Sequence, residues 1–220
     1  MSSTITIGGE TLELCAERAA YWPRRRTLLV ADPHFGKAAT FRALGVRVPR
    51  GTTEGTLVRL DRLVARLAPA RIEFLGDFLH AREGRDDETF RVLAEWRARH
   101  GGIAMRLVRG NHDKRAGDPP GDVGIECVDG PVLEAPFALA HHPTRVEGAY
   151  VLAGHVHPCA VLVGRGRQRE RLPCFLIGRD VGVLPAFGDF TGCAEVEPED
   201  GDAVFVVADD EVMRFEARAP

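Results

Sequence analysis

Lysine is nearly missing from this chain: only Lys37 and Lys114 among its 29 basic residues are lysines, the rest being arginines. Base composition alone can produce such a bias, so it assigns no function. Long apolar runs are absent as well. None approaches the roughly 18 residues a membrane span needs, and no basic segment followed by an apolar one opens the chain. A soluble, unprocessed protein without a membrane partner is expected. Cysteine is sparse and scattered: Cys15, Cys127, Cys159, Cys174 and Cys193 form an odd set with no CxxC pair. That argues against a disulfide framework or a thiolate zinc site and fits a reducing cytoplasm. Nor does either charge dominate. With 29 basic and 32 acidic residues, net −3, the chain is no histone-like polybasic binder.

What is present suffices for a core. Of 220 residues, 45% are apolar, and no repeat, low-complexity linker or boundary divides residues 1–220, so a single domain is expected. The charges are unevenly placed. Residues 24–115 hold 20 basic and 11 acidic side chains, and residues 195–220 hold two arginines against nine carboxylates. This reads either as two solvated faces or as a positive face meeting an anionic substrate.

Thr4–Ile7 and Thr11–Leu14 alternate around Gly8-Gly9, a hairpin signal. The apolar run Thr27–Ala31 predicts a strand buried on both faces. A short helix over 35–44 follows, then a helix carrying Leu57, Leu60, Val64 and Leu67 that Pro69 ends. Arg71–Leu75 predicts a strand, Asp86 or Asp87 caps a helix with Phe90, Leu93 and Ala94, and Ile103–Val108 is a third strand. This βαβαβ order implies a parallel sheet. After about residue 120, eight short β-like runs follow without a helix: 125–128, 131–133, 137–140, 150–153, 160–163, 174–177, 204–207 and 212–215. The expected class is an α/β sandwich with a parallel first half and a β-rich, mixed second half.

Five of these runs end in polar clusters: Asp32-Pro-His34, Gly76-Asp77, Arg109-Gly-Asn-His-Asp113, His141-His142-Pro143 and Gly154-His-Val-His157. Strand carboxyl ends form the ligand crevice of open α/β sheets, so the clusters can converge. In an extended segment, residues i and i+2 share a side, which pairs Asp32 with His34 and His155 with His157. Adjacent His141 and His142 point apart, so one of them is the ligand. Carboxylate, amide oxygen and imidazole without thiolate suit Mn²⁺, Fe or Zn²⁺. Seven donors, shared by two ions through one bridging carboxylate, leave positions for water and substrate.

Asp32-x-His34, Gly76-Asp77, Gly110-Asn-His-Asp113, His141 and Gly154-His155-x-His157 together resemble the signature of the calcineurin-like metallophosphoesterases, over residues 27–158. A narrower likeness covers Ala31-Asp-Pro-His-Phe-Gly-Lys-Ala-Ala39, Phe41-Arg42, Val48–Thr53 and Leu75–Arg82. These segments are similar to the bacterial ligase-associated DNA-damage-response phosphoesterases, which are endonucleases. The resemblance implies that Asp32, His34 and His157 hold a first metal and that Asn111, His141 and His155 hold a second. It implies that Asp77 bridges the two and that His112 faces the scissile phosphate without ligating. The family pattern favours His141 over His142.

Protein phosphatases of the superfamily read GDxVDRG at the second motif. Here Gly76-Asp-Phe-Leu-His-Ala-Arg82 replaces the second aspartate with His80 and the following arginine with Ala81, which argues against that activity. His80 stays open between a partner of a ligand, a substrate contact, a further ligand and a structural histidine.

The expected activity is dinuclear phosphodiester hydrolysis on nucleic acid, as a DNA endonuclease in repair, with RNA left open. The alternatives are a small-molecule or nucleotide phosphatase and, below that, a non-catalytic scaffold. Lys37, Arg42, Arg50, Arg82, Arg109 and Arg145 are candidate phosphate contacts. No base-reading module is visible. The resemblance also implies a functional setting with a DNA ligase, a helicase and a nuclease. A homodimer is left open.

Overall fold

β1 (Ser3–Ile7) and β2 (Glu10–Cys15) form the expected antiparallel hairpin, with Ser3 opposite Leu14 and Ile7 opposite Glu10. Gly8 and Gly9 both hold positive φ, 57° and 78°, which a two-residue hairpin turn demands. In the computed structural model, which describes residues 2–49, 51–164, 166 and 168–215, the chain turns again through β3 (Ala19–Trp22) into β4 (Thr27–Val30).

Next come α1 (Lys37–Ala43), α2 (Thr52–Leu67), β5 (Arg71–Phe74), α3 (Asp87–Arg99), β6 (Ala104–Val108), α4 (Asn111–Ala116) and β7 (Glu126–Val128). Strands β4 to β7 run parallel, and β1 to β4 are antiparallel, so the seven-stranded first sheet has the order β1-β2-β3-β4-β5-β6-β7. Ala68, left-handed ahead of Pro69, ends α2. Asp86 caps α3 by accepting the Thr89 N–H at 2.8 Å.

The second sheet is built from β8 (Val132–Glu134), β9 (Phe137–Leu139), β10 (Tyr150–Ala153), β11 (Pro158–Val163), β12 (Arg169–Ile177), β13 (Val181–Val183), β14 (Ala194–Glu195), β15 (Ala203–Ala208) and β16 (Glu211–Phe215). Its order is β14-β11-β12-β13-β10-β9-β8, with β15 on β12 and β16 on β15. β9, β10 and β13 are parallel neighbours, whereas β11 and β12 are antiparallel.

Alternation along β4 explains why that run is apolar throughout. Leu28 and Val30 join Ile72, Phe74, Leu57, Leu60, Leu93 and Trp96 under the helices. Leu29 and Ala31 face the other way and meet Leu75, Val108, Phe137, Leu139, Leu152 and Phe175 between the sheets. Three layers result: helices, first sheet, second sheet. The carboxyl ends of β4, β5, β6, β9 and β10 gather along one edge. The cysteine reading needs one correction: Cys159 and Cys193 form a disulfide across 34 residues, while Cys15, Cys127 and Cys174 stay free. One bridge is short of a framework, and nothing in the cysteine spacing marks it.

Candidate metal centre

Each donor stands two to four residues past the end of a strand, where the chain leaves the sheet. The convergence does not come from extended alternation of residues i and i+2. Asp32 (φ 50°), His34 (φ 48°), Asp77 (φ 50°), His155 (φ 71°) and His157 (φ 52°) are all left-handed. Such backbone is uncommon for residues with a Cβ and is held here by the surrounding contacts. Asp32 is held by its N–H to the Gly76 carbonyl at 3.3 Å, and His34 by its N–H to the Asp77 carbonyl at 3.0 Å. The Asp32 carboxylate in turn accepts the His155 N–H at 2.8 Å.

The glycines before the donors are matters of space. A Cβ on Gly110 would press on the Asp77 backbone nitrogen at 2.5 Å. One on Gly154 would meet Asp32 Oδ2 at 2.5 Å, and one on Gly76 would reach into the His141 side chain at 2.7 Å.

Two donor sets result. In the first, His34 Nε2 and His157 Nε2 lie 3.3 Å apart. His157 Nε2 is 3.7 Å from Asp32 Oδ2, and His34 Nε2 is 3.9 Å from Asp77 Oδ2. In the second, His141 Nε2 is 2.9 Å from Asn111 Oδ1, 3.0 Å from His155 Nδ1 and 3.4 Å from Asp77 Oδ1. Asp77 faces both sets with different oxygens. Asp32, His34, Asp77 and His141 are buried.

The tautomers follow from the outer nitrogens. His141 Nδ1–H donates to the Leu75 carbonyl at 3.0 Å and His157 Nδ1–H to the Gly192 carbonyl at 3.2 Å. Their Nε2 lone pairs therefore point inward, at other acceptors. Acceptors facing one another in a buried site, with Asp32 Oδ1 lacking any hydrogen-bond partner, call for a cation. Donors about 2.1 Å from an ion stand roughly 3.0–3.4 Å from one another, which the second set and the His34–His157 pair match, while the carboxylates of the first set stand a few tenths of an ångström wider. The seven residues fit a pair of divalent ions.

Burial and then the neighbouring Asp77 charge push the Asp32 pKa well up. Burial likewise pushes His34, His155 and His157 down and His141 down to about 4. The imidazoles are thus neutral and ready to ligate, while the carboxylate awaits positive charge.

His112 sits beside the sets, half-buried, with Nε2 3.9 Å from Asp77 Oδ2. Its Nδ1–H donates to the His80 carbonyl at 2.5 Å, and its backbone N–H donates to Asp77 Oδ1 at 2.9 Å. The His80 ring stacks on His112 (centroids 5.0 Å, 20° between planes), with Nδ1 3.4 Å from His34 Nδ1. Burial first, then the Lys37 charge, lowers its pKa to about 4. His142 is exposed, edge-on to His155 at 4.3 Å, whereas His141 is the buried member of the pair.

The proposed phosphate contacts divide. Lys37, at the start of α1, is half-buried, and its charge acts on His34, His80 and Asp77. Arg42 donates to the Pro49 carbonyl at 3.4 Å and Arg82 to the Arg115 carbonyl at 2.8 Å. Arg145 pairs with Asp180 at 3.3 Å. Arg50 lies outside the described residues. Arg109 donates two bonds of 2.7 Å to Asp118. The basic excess of residues 24–115 is also partly neutralised by carboxylates from other segments, as in Arg24–Glu10, Arg59–Asp189 and Arg66 with Glu13 and Glu17.

Three groups that orient the donors escaped the sequence. Asp113 accepts the N–H groups of Gly110 at 2.8 Å and Leu79 at 3.1 Å, tying α4 to the loop after β5. Its place in the GNHD run was the available signal. The Leu75 and Gly192 carbonyls had none.

Two stacked mixed sheets with paired His/Asp donor sets at their shared edge define a metal-dependent phosphoesterase, a hydrolase of phosphate esters. The nuclease MPE of Pseudomonas putida aligns over 98% of this chain and 100% of its own, at 46% identity and a TM-score of 0.86. The chain belongs to that nuclease's family, the calcineurin-like metallophosphoesterases. The Escherichia coli phosphoesterase Yfce aligns over 84% of this chain and 88% of its own, at 16% identity and a TM-score of 0.36. No protein-family model matches the chain, and no curated protein does.

Proposed function

We propose that the chain is a dinuclear, manganese-dependent phosphodiesterase that cuts nucleic acid internally, a DNA endonuclease of repair. The observation that carries this reading is the pair of overlapping donor sets sharing Asp77, with acceptors facing acceptors around the orphaned Asp32 Oδ1. Asp32, His34 and His157 would hold one ion, Asn111, His141 and His155 the other, with Asp77 bridging. When bound, the cations supply hydroxide near neutral pH and neutralise charge on the non-bridging phosphate oxygens.

The rest of the work belongs to the chain itself. The Leu75 and Gly192 carbonyls fix two imidazole tautomers. The His80 carbonyl holds His112 Nδ1–H so that Nε2 faces the centre, where the imidazolium form would carry the proton that passes to the leaving oxygen, leaving a neutral ring. Kinship with a nuclease supports a nucleic-acid substrate. DNA and functional association with a ligase, a helicase and a nuclease rest on the resemblance to the ligase-associated phosphoesterases, and a cytoplasmic setting rests on the scattered cysteines.

The test strips the protein with chelator, reloads it with Mn²⁺, Fe²⁺ or Zn²⁺, and assays bis- and mono-nitrophenyl phosphate. Single-stranded and duplex DNA and RNA are the polymer substrates. Activity is expected to vanish on chelation, to return best with Mn²⁺, to prefer the diester and to cut circular DNA. Full activity after verified metal removal overturns the reading. Monoester preference instead indicates a small-molecule phosphatase.

A further inference from the structure

Beside the second donor set the surface opens into a cleft of about 390 Å³, within the range for a small-ligand site. His141 and His142 stand in its lining, so it adjoins the centre. Val108, Pro131 and Val146 give it apolar walls, and Lys114 and Arg145 add positive charge.

The cations of this cleft differ in how free they are. Arg109 also lines it but is neutralised by Asp118 at 2.7 Å, with Asp129 at 3.6 Å. Arg145, itself exposed, pairs with the half-buried Asp180 at 3.3 Å, a pairing of small worth in water. Lys114 is exposed and forms no ion pair among the described residues. It follows Asn111 by three positions in α4, so its ammonium and the amide of the second donor set rise from one helix face.

We propose that this cleft is a subsite for the nucleotide neighbouring the scissile phosphate. The base lies against Pro131 and Val146, above the buried Val108 at the floor, and the adjoining phosphate sits on Lys114, with Arg145 at the rim. The inference rests on the nucleic-acid reading above and adds the residues that recognise a polymer rather than an isolated ester. An apolar wall beside an unpaired cation suits a base with its phosphate, because every base has an apolar face and every link an anion.

The experiment uses manganese-loaded protein and compares Lys114→Glu and Lys114→Arg with the parent. The substrates are a fluorescent ten-residue oligothymidylate and bis-nitrophenyl phosphate. Lys114→Glu is expected to raise KM for the oligonucleotide about tenfold, with a much smaller change in kcat. Its loss in kcat/KM should be at least fivefold greater on the oligonucleotide than on the small diester, and Lys114→Arg should restore most of it. The slope of log kcat/KM against log salt should flatten by about 0.7, the share of one neutralised phosphate on a single strand.

Equal losses on both substrates, or an unchanged KM and salt slope, overturn the subsite while leaving the nuclease reading intact. A parent protein that cleaves no oligonucleotide overturns both. Matching melting temperatures establish that the charge reversal has not disturbed the fold.

Discussion

His112 is anchored at one nitrogen and free at the other, which is what a proton donor needs. With Nδ1–H held by the His80 carbonyl, only Nε2 can face the phosphate. A nucleotide hydroxyl leaves poorly without a proton, whereas nitrophenolate is already a stable anion. His112→Ala should therefore lose roughly 10²–10⁴-fold on DNA and far less on bis-nitrophenyl phosphate. Both metals should remain by elemental analysis. Equal losses, or a missing ion, would make His112 a phosphate or metal contact instead. Asp77→Ala should abolish turnover on every substrate and lower metal content, because its two oxygens serve both donor sets. At this scale the sequence was informative about identity and silent about geometry. Asp32, His34, Asp77, His155 and His157 stood out because each ended an apolar run. Their left-handed backbone, and the inward turn it gives their side chains, depends on contacts between loops distant in sequence.

Among the elements, α4 carries more of the site than its six residues suggest. Asn111 opens it, and Asp113 fastens it to the loop after β5. Gly110 lets the helix approach Asp77 closely. In Gly110→Ala the new methyl would press on the Asp77 backbone, and overpacking of this kind typically costs about 1–3 kcal/mol. A lower melting temperature is expected, together with Mn²⁺ affinity weakened about tenfold or more in a titration. Parental affinity would mean that the loop gives way harmlessly. The periodic elements were legible in advance. Leu57 and Leu60 marked the buried face of α2, although Leu63 rather than Val64 completes it. Asp86 marked the start of α3. Others were not. β3 is four apolar residues between turns, β13 and β14 hold three and two residues, and α4 lies inside a motif whose chemistry masks its helical start. Such short segments owe their form to neighbours in the sheet and not to their own periodicity.

Across the whole molecule, the centre is shared between layers. Asp32, His34, Asp77 and Asn111 leave the first sheet, while His141, His155 and His157 leave the second. Metal held by these residues, as proposed, would fasten the two sheets together, and its free energy would add to folding. Without metal, the same donors are a liability whose sign depends on pH. Burial lowers the His141 pKa from 6.5 to about 4, and lowers His34, His155 and His157 in the same direction. Below about pH 6.5 the unfolded chain takes up protons that the buried imidazoles refuse, His141 until nearer pH 4. Stability of the metal-free protein should thus fall as pH drops through that window, and Mn²⁺, which needs neutral imidazoles, should lose affinity over the same range. At pH 7.5, Mn²⁺ at about 100 times its Kd should add about 2.7 kcal/mol, or roughly 5–10 °C in Tm for a chain of this size. At pH 5 the gain should shrink to less than half, and in Asp77→Ala it should be largely lost at both pH values. A gain of equal size at pH 7.5 and pH 5 would mean that the stabilising ion sits away from these histidines, and that the two sheets are not joined through them.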